Sequence, residues 1–448
     1  DALGEVQSLQ LYTYTQCTYE KGEVVQGSQE GWIEMKKCEY TENGNAITCW
    51  EANVVPGYEI TKLMANNDNK ERDLSAAITP EAGSYYNITL DKDKGYTDDG
   101  QGNYTVTSAE GLKNIAKLVN EEWNLSIDIT LTSDIDLSGI DWTPIGIDYN
   151  HRYAGTFDGN GKTITGLTVT GSDQYAGLFG YIDTGGKVKD VVLEGVQITS
   201  DNSSGYAGGV AGYCYRGTLE NCSVSGSVSG SGSSSDVGGV VGYQTGGSIT
   251  GCSSSATVKG TQRAGGMAGV TNNGATLTAC YATEDVTVER TPTNNTYAGG
   301  VVGFNGGGST LIACYATGSV TVTGDGTGSI YVGGVTGDNF ASTLTACYHA
   351  AGTVSGPDGA TGGVAGRNFK DSMFGGGIIT ACYWGGNGQE QGIGEDQVGT
   401  GETTKVDGTD VTWRSAMTSM NEALQSAGSA WSYTIGEDFL PTLEQGQQ

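Results

Sequence analysis

Basic residues are scarce in this 448-residue chain: 22 Lys and Arg face 51 Asp and Glu, for a formal charge of −29 at pH 7. So acidic a chain repels nucleic acid and anionic lipid, and neither is an expected partner. There are only two His, His151 and His349, and neither H-E-x-x-H nor G-x-S-x-G occurs. The common zinc-peptidase and serine-hydrolase signatures are therefore missing. No apolar run approaches the roughly 18 residues of a membrane-crossing helix, so no transmembrane segment is expected. The chain opens on Asp1 with neither an initiator Met nor a signal-peptide pattern, and it reads as a processed or trimmed product.

Against 6 Pro there are 75 Gly, and the glycines recur in order. The stretch YAGGVVGFNGGGSTLIACYATGSVTV, residues 297–322, has near-copies throughout the middle of the chain. Anchored on the last Gly of its G-G-V-V-G segment, they fall at Gly180, Gly212, Gly242, Gly269, Gly303, Gly337 and Gly366, in steps of 32, 30, 27, 34, 34 and 29 residues. Such a period means a solenoid or an array, and it is too short for a propeller blade.

Each copy holds three apolar runs. The first supplies one column, Leu178, Val210, Val240, Met267, Val301, Val335 and Val364. In the second, Val188 and Val191 cannot share a strand face unless the chain bends between them. Asp190, Asn221 and Gly251 occupy that bend, and all three tolerate left-handed backbone. Val196 and Ile198 open the third run. Three inward strands per circuit describe a parallel β-solenoid, whose stacked turns line up each column as core.

Six of the ten Cys form a column that begins at the Val191 slot: Cys222, Cys252, Cys280, Cys314, Cys347 and Cys382. In-register parallel neighbours stand about 4.8 Å apart, beyond disulfide reach, so a stack of buried, reduced thiols is expected. Cys38 and Cys49 flank Asn43-Gly44, a two-residue hairpin signal, and counting outward sets them opposite each other as a candidate disulfide. Cys17 and Cys214 have no assigned partner.

The copies resemble the GLUG-motif repeats of bacterial surface proteins, named for a Gly-Leu-aromatic-Gly kernel that stands here as Gly177-Leu178-Phe179-Gly180. The resemblance covers roughly residues 100–448 and implies an extracellular, cell-surface protein. Some GLUG-bearing proteins are metallopeptidases, but their zinc motif is absent. Upstream, Pro80–Tyr85 followed by Ile88 and Leu90 resembles the closing strands of fimbrillin-like pilus and adhesin domains. That resemblance implies assembly with other pilus subunits by strand exchange and an association with fimbriae.

The expected fold is all-β. Residues 1–97 form a small antiparallel β-sandwich-like domain, and residues 98–448 a three-strand-per-turn β-solenoid with helical end caps. Within the solenoid, 98–170 hold entry turns and a capping helix over Thr107–Glu121, 171–384 the copies, and 385–448 a C-terminal cap with a helix over Thr412–Ser426. Asp91, Asp93, Asp98 and Asp99 in DKDKGYTDDG could gather a calcium ion, but their spacing departs from the EF-hand loop. A solvated linker is the favoured reading, and no cofactor is expected.

Two functions from different classes remain. The residues after the Cys column point outward, and four are Tyr: Tyr281, Tyr315, Tyr348 and Tyr383. An exposed tyrosine strip would stack on sugar rings or a partner's apolar surface; the favoured reading is a ladder packed on itself or covered by a loop. The favoured function is a non-catalytic surface adhesin that displays a binding face for a glycan or a partner protein on another cell. The alternative is a β-helix enzyme acting on polysaccharide. Its weakness is that Asp183, Glu220, Asp236, Arg263, Asp338 and Arg367 read as scattered charges that share no column, where such an enzyme would cluster them.

Overall fold

The computed structural model describes residues 7–20, 23–42, 45–65, 71–81, 84, 86, 94–357, 359–372, 375–399 and 401–446. The chain divides into two compact units, Asp1–Lys94 and Gly95–Gln448.

In the first unit, strands Glu23–Glu34, Leu9–Glu20, Ile60–Ala65 and Glu71–Ile78 lie in that order in one antiparallel sheet. A separate hairpin pairs Lys36–Glu42 with Asn45–Glu51. Leu9, Leu11, Ile60, Leu63 and Ala65 form the core, and Trp50 of the hairpin packs against them. Much of the Pro80–Leu90 stretch that resembles fimbrillins lies outside the described residues, as do Asp91 and Asp93.

The second unit is a parallel β-solenoid. Four sheets of 14, 11, 9 and 7 strands run along it, built almost wholly from parallel pairs one turn apart. A representative turn carries Tyr206–Gly208, Ala211–Tyr215, Thr218–Glu220 and Ser223–Gly230. The three apolar runs thus become four strand segments, because the Gly pair splits the first run at a corner. At that corner a Cβ on Gly299 would lie 2.1 Å from the Val302 carbonyl oxygen, and one on Gly300 would lie 2.2 Å from that of Gly334. Only Gly lets the backbones approach so closely.

All seven residues of the first column are fully buried, as are Val188, Val191 and the six column cysteines to within 1%. Burying each such Val contributes roughly 1.5–3 kcal/mol. The thiols are free, and they donate back to carbonyls of the preceding turn, as from Cys280 to Ile249 at 3.5 Å and from Cys347 to Leu311 at 3.6 Å. The bend holds left-handed backbone at Asp190 (φ 53°), Asn221 (51°) and Gly251 (64°). In later turns the same bend falls on Ala279, Ala313, Ala346 and Ala381, all at φ 49–54°. For Ala, left-handed backbone costs about 1–2 kcal/mol.

A polar column runs beside the apolar ones. Cys214, Gln244, Thr271, Asn305, Asn339, Asn368 and Asp396 are successive partners, which gives Cys214 its place. Thr271 donates to Asn305 (2.8 Å), Asn305 to Asn339 (2.9 Å), Asn339 to Asn368 (3.0 Å) and Asn368 to Asp396 (3.1 Å). Thr271, Asn305, Asn339 and Asn368 are completely buried, and the row satisfies their amides in sequence.

At the N-terminal end, helix α1 (Ala109–Asn120) is capped by Ser108, which accepts from Gly111 N. Its Leu112, Ile115 and Val119 join the solenoid core. Asn120 ties it to the entry turn, donating to Pro144 O at 2.9 Å and accepting from Gly146 N at 2.8 Å. Tyr96–Asp98 pairs antiparallel with Asn103–Val106, so the parallel ladder ends on an antiparallel strand and discourages end-to-end pairing.

The C-terminal cap departs from expectation. Helix α2 (Trp413–Ser426) and the hairpin Trp431–Ile435/Pro441–Gln445 pack along the flank that carries the alanine bends and the outward tyrosines, not across the end of the stack. The cause is local: that flank offers an apolar strip of Ala313, Ala346, Tyr315 and Tyr348, and Ala416, Met420 and Leu424 of α2 bury against it.

Candidate functional site on the outer aromatic columns

The four candidate tyrosines do form one column. Tyr281 pairs with Tyr315, Tyr315 with Tyr348 and Tyr348 with Tyr383. Their rings stack at 5.0 Å and 4.8 Å, both within 5° of parallel. They do not make an exposed strip. Tyr348 is completely buried, and Tyr315 and Tyr383 are each 8% exposed. Tyr348 donates its hydroxyl to Pro441 O and packs against Trp413 and Tyr433. With ring faces on one another and edges under the cap, Tyr315 and Tyr348 stabilise the fold and offer no ligand surface, and Tyr383 is as deeply covered; Tyr281, at the head of the column, is half-buried.

Cys38 and Cys49 sit directly opposite in the hairpin, as the turn count requires. Both are free thiols, so the structure shows the pairing register without the bond. Glu51, on the same face, lies with them in a three-ligand group whose ligand atoms are within 4.8 Å of one another. Desolvation, then a hydrogen bond that the thiol donates to the Glu51 carboxylate, raises Cys38. Of the calcium candidates, Asp98 accepts from Gly100 N, and Asp99 accepts from Gln101 N and from both nitrogens of Asn103. The Asn103 side chain and these backbone amides hold the Asp99 carboxyl below its usual range. Both carboxylates act as turn caps.

A second set of aromatic columns lies on the outer faces of the two sheets joined at the Gly corner. One holds Tyr175, Tyr206, Asp236, Arg263, Tyr297 and Tyr331 in successive turns. The other holds Tyr181, Tyr213, Tyr243, Val270, Phe304, Asp338 and Arg367. Within a column the rings stack, as for Tyr213 on Tyr243 at 5.2 Å and Tyr297 on Tyr331 at 5.5 Å. Between columns they meet edge to face, as for Tyr206 with Tyr213 at 5.3 Å and Tyr297 with Phe304 at 5.4 Å. Outward rings from two sheets can touch only where the outer surface folds inward along their seam. Tyr175, Tyr206, Tyr213, Tyr243, Tyr297 and Phe304 are half-buried. Their ring faces are taken up by neighbours, and Tyr243 Oη accepts from Asn272 at 3.0 Å and Tyr297 Oη from Asn295 at 3.3 Å.

Four of the six charges that read as scattered, Asp236, Arg263, Asp338 and Arg367, belong to these columns, while Asp183 and Glu220 pair elsewhere, with Arg152 and Lys187. Asp236 and Arg263 are direct neighbours, and Arg263 grips Asp236 through Nε at 2.6 Å and Nη2 at 2.9 Å. Asp338 and Arg367 repeat the arrangement one column over, with Arg367 Nη1 also donating to Tyr331 Oη at 3.0 Å. The unequal steps of 27 and 29 residues hid the register. Burial pushes Asp236 up to about 6 against the pull of Arg263, and it raises Asp338 as well. Sequence reading missed this face, although its signal was present: the aromatic before A-G-G and the one after V-x-G recur through the copies.

His349 is fully buried. Its Nε2 donates to Gly318 O at 2.9 Å and its Nδ1 accepts from Asn387 at 3.1 Å, which fixes a neutral ring. It is a packed residue, in keeping with its slot in the repeat.

The GLUG motif matches residues 233–259 and 294–323, so the β-solenoid carries GLUG motifs. A protein of Evansella cellulosilytica assigned as a Gly-rich membrane protein is 36% identical over 124 residues, which are 27% of this chain and 14% of that one. Halomucin of Haloquadratum walsbyi is 29% identical over 173 residues, 35% of this chain and 2% of halomucin. The matched stretches therefore span only a small part of these relatives. A solved structure from Bacteroides ovatus, assigned as an immunoglobulin A1 protease, aligns with TM-score 0.45 at 18% identity, over 78% of this chain and 94% of that one. A structure named IgA1 protease aligns with TM-score 0.39 at 15% identity, over 89% of this chain and 28% of that one.

Proposed function

We propose that this chain works at the cell surface as a non-catalytic adhesin, with the solenoid as a rigid spine and the outer aromatic columns as its binding face. The carrying observation is the set of half-exposed rings, Tyr175, Tyr206, Tyr213 and Tyr243 in one group and Tyr297 and Phe304 in another, interrupted at the turn that holds Arg263 and Val270. Among the described residues, the hydroxyls of Tyr206 and Tyr213 make no hydrogen bond to protein, so they are available to a ligand that repeats along the solenoid axis, such as a glycan or a partner's strand. The names of the membrane-protein and halomucin relatives support a surface location. The mutual neutralisation of Asp236 with Arg263, and of Asp338 with Arg367, supports a face without acid–base chemistry. Binding of the full chain to a glycan and host-protein array tests the reading. Tyr206→Ser combined with Tyr243→Ser should abolish the array signal while Tm falls only a few degrees. An unchanged signal, or turnover of a polysaccharide by the wild type, defeats it.

A further inference from the structure

Between the last solenoid turns and the C-terminal cap lies a cavity of about 670 Å³, within the size range of small-ligand sites. Ala350, Gly385, Trp413 and Phe439 are among the residues that line it. Phe439 is unusual in two ways. Its backbone is left-handed at φ 64°, and its side chain is 77% exposed. A bulky residue is disfavoured in that conformation, and an exposed ring recovers nothing through burial. The turn itself, closed by Phe439 N to Gly436 O at 3.1 Å, would accept Gly more readily. Strain held beside a cavity, with no gain to the fold, points to a ligand.

The polar groups choose its chemistry. Asp407, Asp438 and Arg414 line the same cavity. Two carboxylates discourage an anion, the guanidinium discourages a cation, and a wholly apolar guest would strip water from all three without replacing its hydrogen bonds. Asp438 uses Oδ1 to accept from Leu440 N at 3.0 Å, which leaves its second oxygen for a guest. A sugar ring offers apolar C–H faces to aromatic side chains and hydroxyls to carboxylate and guanidinium groups. We propose that this cavity binds a neutral pyranose unit of a glycan, with Phe439 and Trp413 as ring platforms and Asp438 and Arg414 holding hydroxyls. The site is separate from the aromatic columns and goes beyond the adhesin reading.

The test titrates the full chain with neutral cello-, malto-, manno- and chito-oligosaccharides, followed by calorimetry and tryptophan fluorescence. At least one series should bind saturably. Phe439→Gly should weaken that binding at least tenfold while Tm holds or rises, because left-handed backbone suits Gly. Arg414→Ala should weaken it with Tm unchanged. Absence of saturable binding in every series overturns the proposal, as does binding that survives Phe439→Gly. Saturable binding of tetramethylammonium in place of sugars replaces it with a cation site. Tyr206→Ser with Tyr243→Ser leaves the cavity intact, so a failure of the aromatic-face reading is told apart from a failure here.

Discussion

Tyr433 donates a 2.9 Å hydrogen bond from its hydroxyl to the carbonyl of Ala346, 87 positions earlier in the chain. Ala346 is one of the alanines held in left-handed backbone, and Tyr433 is itself tied to α2 by a reciprocal pair with Asn421, at 2.9 and 2.7 Å. The cap is thus latched onto the bend of the repeat by the Tyr433 phenol, and onto the tyrosine column by that of Tyr348.

Tyr433→Phe keeps the ring and removes its latch, leaving a buried carbonyl short of a partner. The expected loss is about 1–3 kcal/mol, confined to the cap. Hydrogen exchange should speed up across residues 413–426 while α1 stays protected. Equal acceleration in both helices would show that the cap is not a separate unit.

Asn339 donates to Asn368 and to Ser342 O, and accepts from Asn305. Asn339→Leu orphans groups on both sides of it in a dry interior. The predicted cost is about 3 kcal/mol or more, from at least two buried groups left unsatisfied at about 1–3 kcal/mol each. Urea unfolding should show it as a lower midpoint.

Two buried groups should bend the acid limb in opposite directions. Burial takes His349 down to about 4, so between about pH 4 and the ordinary His value near 6.5 the unfolded chain binds the extra proton. Stability from this group is present above that window and lost as pH falls through it. Burial lifts Asp236 to about 6, so between the ordinary Asp value near 4 and about 6 the folded chain binds the extra proton, and stability falls as pH rises. His349→Gln should flatten the loss of stability between pH 7 and 4.5, and Asp236→Asn should steepen it. Midpoints at the two pH values check both signs.

Seven cysteines, Cys214 and the six of the column, are buried, while Cys17, Cys38 and Cys49 are partly exposed. Burial pushes thiols such as Cys314 and Cys382 up, which further suppresses their reactivity. A thiol reagent should label at most the three exposed residues in the native protein and the other seven only after unfolding. A mass two units lower before reduction would locate an oxidised Cys38–Cys49 pair.

The solenoid was legible because its interior repeats chemically. Valine and cysteine columns align whatever the loop length, and Asp190, Asn221 and Gly251 announce the bend by residue type. The same bend at Ala279, Ala313, Ala346 and Ala381 was silent, since nothing about alanine suggests left-handed backbone. Whether the tyrosine column is exposed stayed open for a related reason. That a side chain points out of a tube follows from its neighbours in sequence, whereas what covers it depends on a segment dozens of residues away. The ion pairs along the outer face failed to show because unequal steps blurred which residue lies above which.

The buried amide row points one way, each member giving to the next until the series stops on Asp396, whose oxygens also receive Val398, Gly399 and Gly401 N–H groups. Like a string of identical couplings closed by one terminator, it has no preferred number of links. Whole copies can be spliced in or out upstream of Asp396 and the string rejoins itself, so the span of the solenoid can be lengthened or shortened by recombination between copies without redesigning either end.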